Sequence, residues 1–404
     1  MDVGRLQELD ERALSTVRDF PKRRFLFHLL VRQPGRPFRA VVGPRGVGKT
    51  VLLRQLRAEA DDAFYLSADT LAPEDSLTEI VRLLHDSYGI RRVFVDEIHF
   101  VDQFPRVLKE LYDFYEVEIW FTSSSAIALH ESAWDLSRRV LRVFLGPFSY
   151  REYLSFRYDR SLRSLPLEVA LSNPIPAEHL RAGPWFEEYL RGGLYPFTLE
   201  APGRIELFES MLEKVLTTDV IASDPSLSAG ELDQMRKMLA FIGRSPVDGI
   251  NYSTVAANLG ITKYKAQKQM ELLERSFLLY RVFPHGTNVL KEPKVFLELP
   301  YRLVFSSYQE SLGAIREDYT TLALRQHGVA FEYAKSTRGA KTPDFVLSLG
   351  ESKVVLEVGG KGKGRSQFKS LDYDRKVVAY QGDDRVPDPG RSVPLHTLGF
   401  PELS

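Results

Sequence analysis

The sequence predicts an α/β chain: a phosphate-binding α/β domain first, a helical middle, then a second α/β domain. Three observations predict it. A glycine-rich turn, GPRGVGKT at positions 43–50, joins a short apolar run to a helical start. A second apolar run at 92–95 leads into paired acids, and strand-like and helical segments return after residue 291. With 404 residues, 44% hydrophobic and 27% charged, the chain falls outside the disordered, collagen-like and disulfide-stapled classes and is long enough for several cores. Its 54 basic and 54 acidic side chains cancel, so any nucleic-acid binding must come from a local basic face. The absence of cysteine excludes disulfides, thiolate zinc sites and a cysteine nucleophile, and points to a reducing, cytoplasmic setting. The polar, acidic start lacks the shape of a signal peptide. No apolar run approaches the roughly 20 residues of a membrane helix, so no membrane partner is expected.

In order along the chain, the first element is the apolar run 38–42, read as a strand running into Gly43, Pro44, Arg45, Gly46, Val47, Gly48, Lys49, Thr50 and Val51. The glycines let backbone amides turn inward, and the following helix start adds partial positive charge, so a polyphosphate is held by main chain. Lys49 reaches the β- and γ-phosphates, and the Thr50 hydroxyl is placed to ligate Mg²⁺. These residues form the ATP-binding set. The run RVFVDE at 92–97 reads as a buried parallel strand ending in two carboxylates, where open α/β sheets place ligands. Asp96 is expected to hold Mg²⁺ and Glu97 to act as general base on the attacking water.

A third apolar run, 117–121, ends in TSSS at 122–125. Thr122 or Ser123 is expected to sense the γ-phosphate, with a plain serine-rich turn as the alternative. Arg138 and Arg139 follow. One of them is a candidate arginine finger, delivered from a neighbouring subunit to stabilise transition-state charge; a solvated surface pair is the other reading.

From residue 146 the pattern changes to GPFSYREYL and then to a proline-punctuated stretch, which marks the end of the first domain, residues 1–150. Residues 185–191 read as an amphipathic helix stopped by Gly192 and Gly193, and 207–221 as another helix, giving a helical connector over 151–225. Residues 250–276 carry a helix-turn-helix pattern, with Ser253 as the expected N-cap and Gly260 as the turn glycine. The second helix presents Lys263, Lys265 and Lys268, and a strand at 277–282 completes a pattern similar to a winged helix, residues 226–290. Such a module either places its second helix in the DNA major groove or serves protein contacts or as a lid.

The last domain, 291–404, alternates strand and helix: 295–299, a helix over 312–326, then 329–334, 343–347 and 353–358. Asp344 and Glu357 on consecutive strands, with Glu317 on the preceding helix, are arranged as restriction-endonuclease-like domains arrange acids around Mg²⁺. The lysine expected two residues after the second acid is replaced by Gly359. The domain is therefore expected to be non-catalytic, with Lys361, Lys363 and Arg365 in a basic glycine-rich loop that contacts DNA or a partner; metal-dependent cleavage is the weaker alternative.

The succession of phosphate loop, Asp-Glu strand, TSSS tip, LGPFSYREY at 145–153, YLRGG at 189–193, winged-helix pattern and PDF at 343–345 resembles uncharacterised prokaryotic AAA-type ATPases with a C-terminal domain of unknown function. The resemblance implies ATP binding and hydrolysis in a homo-oligomeric, ring-like assembly, with a hexamer as one form. The sequence expectation is then a Mg²⁺-dependent ATPase that remodels or translocates on DNA, including helicase action on branched DNA. An ATP-controlled signalling or defence switch acting on a protein partner is the alternative.

Overall fold

A computed structural model describes residues 3–32, 35, 37–123, 136, 138–201, 203–247, 249–285, 292–334, 343–359, 373–382 and 391–402. The chain divides into two compact units, Met1–Gly146 and Pro147–Ser404. Among the described residues no helix is long and apolar enough to cross a membrane.

The first unit is built on five strands: β1 (Phe38–Val42), β2 (Ala63–Ser67), β3 (Arg92–Asp96), β4 (Glu118–Ser123) and β5 (Val140–Phe144). They are ordered β2-β3-β4-β1-β5, with every neighbouring pair parallel. Four of the five are almost wholly buried. That burial is why they read as continuous apolar runs rather than alternating ones. Edge strand β5 differs and leaves Leu141 and Phe144 exposed.

The unit's helices are α1 (Val3–Thr16), α2 (Phe25–Leu30), α3 (Lys49–Arg57), α4 (Leu77–Tyr88) and α5 (Phe104–Phe114). Helix α4 starts where the Ser76 side chain accepts the Glu79 N–H and stops at Gly89, whose φ of 68° needs no Cβ. Its apolar stripe, Leu77, Ile80, Val81 and Leu84, is buried in the core with Val93, Val95 and Leu108. Helix α1 is tied down by a buried charge. The Asp10 carboxylate accepts Arg57 Nε and Nη2 at 3.0 and 2.7 Å and the Tyr65 N–H at 2.8 Å, joining α1 to α3 and β2.

The second unit opens with α6 (Tyr150–Tyr158), capped by a reciprocal Ser149–Glu152 box. Tyr150 and Tyr153 are fully buried, and the Tyr150 ring meets Phe186 and Tyr189 edge-on, each at 5.2 Å. Tyr189 donates to the Phe148 carbonyl at 2.8 Å. A Cβ on Gly193 would sit 2.6 Å from the Tyr153 ring, and Gly192 has φ 121°, which ends the preceding helical turns as expected. The PFSYREY and YLRGG segments are thus two halves of one aromatic core.

Helices α7 (Ile205–Lys214), α8 (Ala229–Arg244), α9 (Tyr252–Leu259) and α10 (Lys263–Arg275) follow. Gly260 takes φ 65° and ends α9, as its position suggested. The N-cap of α9, however, is Asn251, which exchanges bonds with Thr254. Ser253 lies inside the helix, and its hydroxyl donates to Glu292. Strands β6 (Leu279–Val282) and β7 (Lys294–Leu297) pair antiparallel, so the strand expected to open the last domain instead completes a hairpin beside α10.

Beyond α11 (Tyr308–Gln326), strands β8 (Phe331–Glu332), β9 (Phe345–Leu349), β10 (Ser352–Gly359), β11 (Arg375–Tyr380) and β12 (Ser392–Pro394) form a second sheet, ordered β12-β11-β10-β9-β8. β8, β9 and β10 are antiparallel neighbours, while β10, β11 and β12 run parallel. A buried ion pair joins the helical part to this one. Arg302 Nε donates to Asp318 Oδ2 on α11 at 2.6 Å, while its Nη1 donates to the carbonyls of Ile242 and Ser245 at the end of α8, both at 2.9 Å.

Candidate nucleotide site

The loop after β1 is dictated by space and dihedral angle. A Cβ on Gly43 would lie 1.9 Å from the Leu145 carbonyl oxygen, so no other residue fits without moving backbone. Gly46 and Gly48 hold φ of 85° and 94°, the left-handed region that glycine enters freely. Gly48 is the N-cap of α3, which leaves the helix's first amides, and the positive end of its dipole, facing the loop. Lys49 Nζ donates to the carbonyls of Gly43 and Pro44 at 2.8 and 3.0 Å, across the loop it belongs to. Pro44 and Val47 are buried; Arg45, Thr50 and Val51 are half-buried along the loop and first helical turn.

The two acids sit at the end of β3, which is separated from β1 by one strand, β4. In register, Val42 lies beside Ser123 and Val95 beside Phe121. The phosphate loop, Thr122, Ser123 and Asp96 therefore share the carboxyl edge of three adjacent strands, roughly 10 Å across. Asp96 is 3% exposed. Its Oδ2 accepts the Tyr65 hydroxyl at 3.0 Å, and its Oδ1 accepts the Thr122 hydroxyl. Thr122 in turn accepts the Glu97 N–H at 2.8 Å, so one fully buried hydroxyl links both acidic residues. Burial and the neighbouring Asp96 carboxylate push the Tyr65 phenol up, which keeps it a proton donor to Asp96. Glu97 has φ 50°, a conformation that costs a non-glycine residue of order 1–3 kcal/mol and that clusters at functional sites. His99 Nδ1 lies 3.4 Å from Glu97 Oε2.

The donor set suits a hard divalent cation: a threonine hydroxyl at the second residue of α3 and a carboxylate with lone pairs beyond its two accepted bonds. Thr50 and Asp96 are the residues that would hold Mg²⁺.

Sequence reading missed two participants. Tyr65, on β2, carries no motif of its own. Arg24, in a run of three basic residues, is 8% exposed and clamps the loop, donating to the Val47 carbonyl at 2.8 Å and the Gly146 carbonyl at 3.0 Å. The burial of both arises from tertiary contacts that no local pattern announces.

The other predicted residues fall elsewhere. Arg138 and Arg139 precede β5, and Phe38 pairs with Val140, so both lie at the amino edge of the sheet, opposite the phosphate loop. Arg139 makes a two-pronged pair with Asp113 at 2.9 and 3.0 Å, whereas Arg138 is exposed. On α10, Lys263 pairs with Glu292 at 2.6 Å, Lys265 with Glu231 at 3.5 Å and Lys268 with Glu271 at 3.9 Å. Lys361, Lys363 and Arg365, like Ser124 and Ser125, lie outside the described residues. Asp344, immediately before β9, and Glu357, on the neighbouring β10, are both buried, and Asp344 Oδ2 accepts the Val358 N–H at 2.8 Å; Glu317 is on α11. Among the described residues no group of three or more His, Asp or Glu side chains is spaced to hold a metal ion.

Comparison with known proteins agrees with the first unit's architecture. Residues 35–154 match the family described as an AAA domain, and residues 183–297 match a domain of unknown function, DUF8612. Two uncharacterized proteins of Methanocaldococcus jannaschii are similar over most of the chain. MJ1637 is 29% identical, covering 84% of this chain and 78% of its own length, and MJ1544 is 23% identical, covering 85% and 78%. AMPPCP-bound DnaA from Aquifex aeolicus matches at 13% identity with a TM-score of 0.25, over 62% of this chain and 86% of that one. The chain carries a P-loop ATPase domain of the AAA type, followed by a domain of unknown function.

Proposed function

We propose that the chain is a Mg²⁺-dependent ATP hydrolase whose cycle drives the binding and remodelling of DNA by its second unit. The observation that carries the hydrolytic part is the convergence of the phosphate loop, Asp96, Glu97 and Thr122 on one edge of the sheet. Loop amides and Lys49 bind the phosphates, and Arg24 holds the loop's shape from behind. Glu97 takes the proton of the attacking water, and its backbone is positioned by Thr122. Mg²⁺, when bound, neutralises charge on the phosphate oxygens. Arg138 is the candidate finger, and it acts only from a neighbouring copy, because its own site lies at the far edge of the sheet. This presupposes a homo-oligomer.

The DNA part rests on a helix-turn-helix followed by a hairpin, with lysines on the second helix. One observation favours a second reading, an ATP-held switch acting on a protein partner: each of those lysines is already paired with a glutamate. The test is steady-state ATPase activity without DNA and with single-stranded, duplex and branched DNA. Lys49→Ala should lose nucleotide binding. Glu97→Gln should keep binding and slow hydrolysis about 10²-fold or more. Stimulation that ranks DNA structures supports the motor, slow turnover indifferent to all DNA supports the switch, and normal hydrolysis by Glu97→Gln removes the base assignment.

A further inference from the structure

The second unit holds a concavity of about 550 Å³ that nucleotide hydrolysis does not use. It lies at the start of β11, walled by residues 171–173, 373–377 and Arg391. Among the described residues, Arg375, Lys376 and Arg391 line it against one acid, Asp374, whose Oδ2 already accepts the Lys353 N–H at 2.9 Å. Arg375 is pre-positioned: Nη2 donates to the Leu171 carbonyl at 2.7 Å and to the Ser172 hydroxyl. The Arg391 carbonyl accepts the Val378 N–H at 2.9 Å, which ties its backbone to the sheet. It is exposed.

A guanidinium fixed by backbone beside a second, exposed guanidinium suits a tetrahedral oxyanion. Planar forks of N–H donors match pairs of oxygens, and guanidinium gives up its water more readily than ammonium. The volume falls within the range of small-ligand sites and admits a group of mononucleotide size. We propose that this concavity binds a terminal phosphate, carried on a mononucleotide-sized ligand or on the end of a nucleic-acid strand, through Arg375 and Arg391.

The experiment is calorimetric titration of the full-length Lys49→Ala chain, in which the phosphate loop is disabled. The probes are inorganic phosphate, 5′-AMP, and a short DNA oligonucleotide with and without a 5′-phosphate. Saturable binding of at least one phosphate-bearing probe is expected, weakened about tenfold or more by Arg391→Ala and less by Arg391→Lys. Binding of phosphate or 5′-AMP identifies a small ligand; binding of the 5′-phosphorylated oligonucleotide alone identifies a strand end. The proposal is overturned by no saturable binding up to about 10 mM, by affinity unchanged in Arg391→Ala, or by equal binding of the two oligonucleotides with neither small probe bound. Because Arg391 is exposed, its replacement leaves the fold intact, and thermal unfolding checks this.

Discussion

Glu298 gives the second unit a pH-dependent stability that can be worked out from its surroundings. The residue is 1% exposed, and neither carboxyl oxygen has a hydrogen-bond partner among the described residues. The Tyr280 hydroxyl faces it without closing a bond of ordinary geometry, and the Tyr195 hydroxyl, also buried and unpartnered, is close enough to feel its charge. Burial raises its pKa from 4.5 to about 7, partly opposed by the Arg325 guanidinium, which stacks 3.5 Å above the Tyr280 ring, and aided by Asp318. A carboxyl raised in the folded state favours the protonated native form. Its contribution is therefore complete below pH 4.5 and lost as pH rises through about 7. At about 1.36 kcal/mol per unit the loss amounts to about 3 kcal/mol. Glu298→Gln mimics the protonated carboxyl at every pH, so it should match the wild type near pH 4 and exceed its stability by about 3 kcal/mol near pH 8. The assay is denaturant unfolding followed by Trp185 fluorescence, with Trp120 and Trp134 replaced by phenylalanine. A stability difference that stays flat from acid to alkaline pH would refute the burial argument.

Other expectations are more local. Thr122→Val removes the hydroxyl between Asp96 and the Glu97 N–H, leaving a part-buried N–H without that acceptor; it should cost about 1–3 kcal/mol and depress hydrolysis, with nucleotide binding kept, whereas Thr122→Ser should restore most of the rate. Gly43→Ala forces a Cβ into the Leu145 carbonyl, so the variant should fail to bind nucleotide and melt lower than Lys49→Ala, which leaves the backbone untouched. Arg139→Ala loses a part-exposed pair with Asp113 and the guanidinium's place 5.7 Å from the Tyr112 ring, each worth about 1 kcal/mol or less, and should not poison mixed assemblies. Arg138→Ala should poison them, and a wild-type-like rate in equal mixtures would remove the finger. Asp10→Ala strands the Arg57 guanidinium and should destabilise the first unit by about 3–5 kcal/mol, read by thermal unfolding.

What could be read from the sequence in the nucleotide site is what is local in the chain. The phosphate loop and the Asp-Glu end of β3 are contiguous stretches whose spacing carries its own geometry. Placing Thr122 beside Asp96 required strand order, and only the fact that its run ends in polar residues hinted at it. Tyr65 and Arg24 were invisible because their partners lie at distances of 31 and 23 residues along the chain. The same limit explains the cap of α9. Asn251, Ser253 and Thr254 all have capping side chains, and the choice fell to Asn251 because Thr254 returns a bond to its backbone N–H while Glu292 claims Ser253. It also explains β7: an apolar run does not say which strand it will join.

The lysines of α10 show how such long-range pairing changes a functional argument. As a string, Lys263, Lys265 and Lys268 are a basic recognition-type helix. In the fold, Glu292, Glu231 and Glu271 stand against them, so the local charge sums to about zero and gives no field to draw a duplex in from solution. The pairs do not forbid DNA, since exposed ion pairs are worth about 0–1 kcal/mol each and phosphates can replace the glutamates. They do change its signature. Lysines that exchange a carboxylate for a phosphate displace protein acids onto the duplex, so the salt dependence of binding should be shallower than three phosphate contacts alone would give. Glu292 is the partner to remove first, because it holds both Lys263 and the first turn of α9. If DNA binding by Glu292→Gln tightens and its salt slope steepens, the helix is a DNA surface held in check by its own acids. If neither changes, α10 serves contacts within the protein, and the case for DNA falls to other surfaces of the second unit.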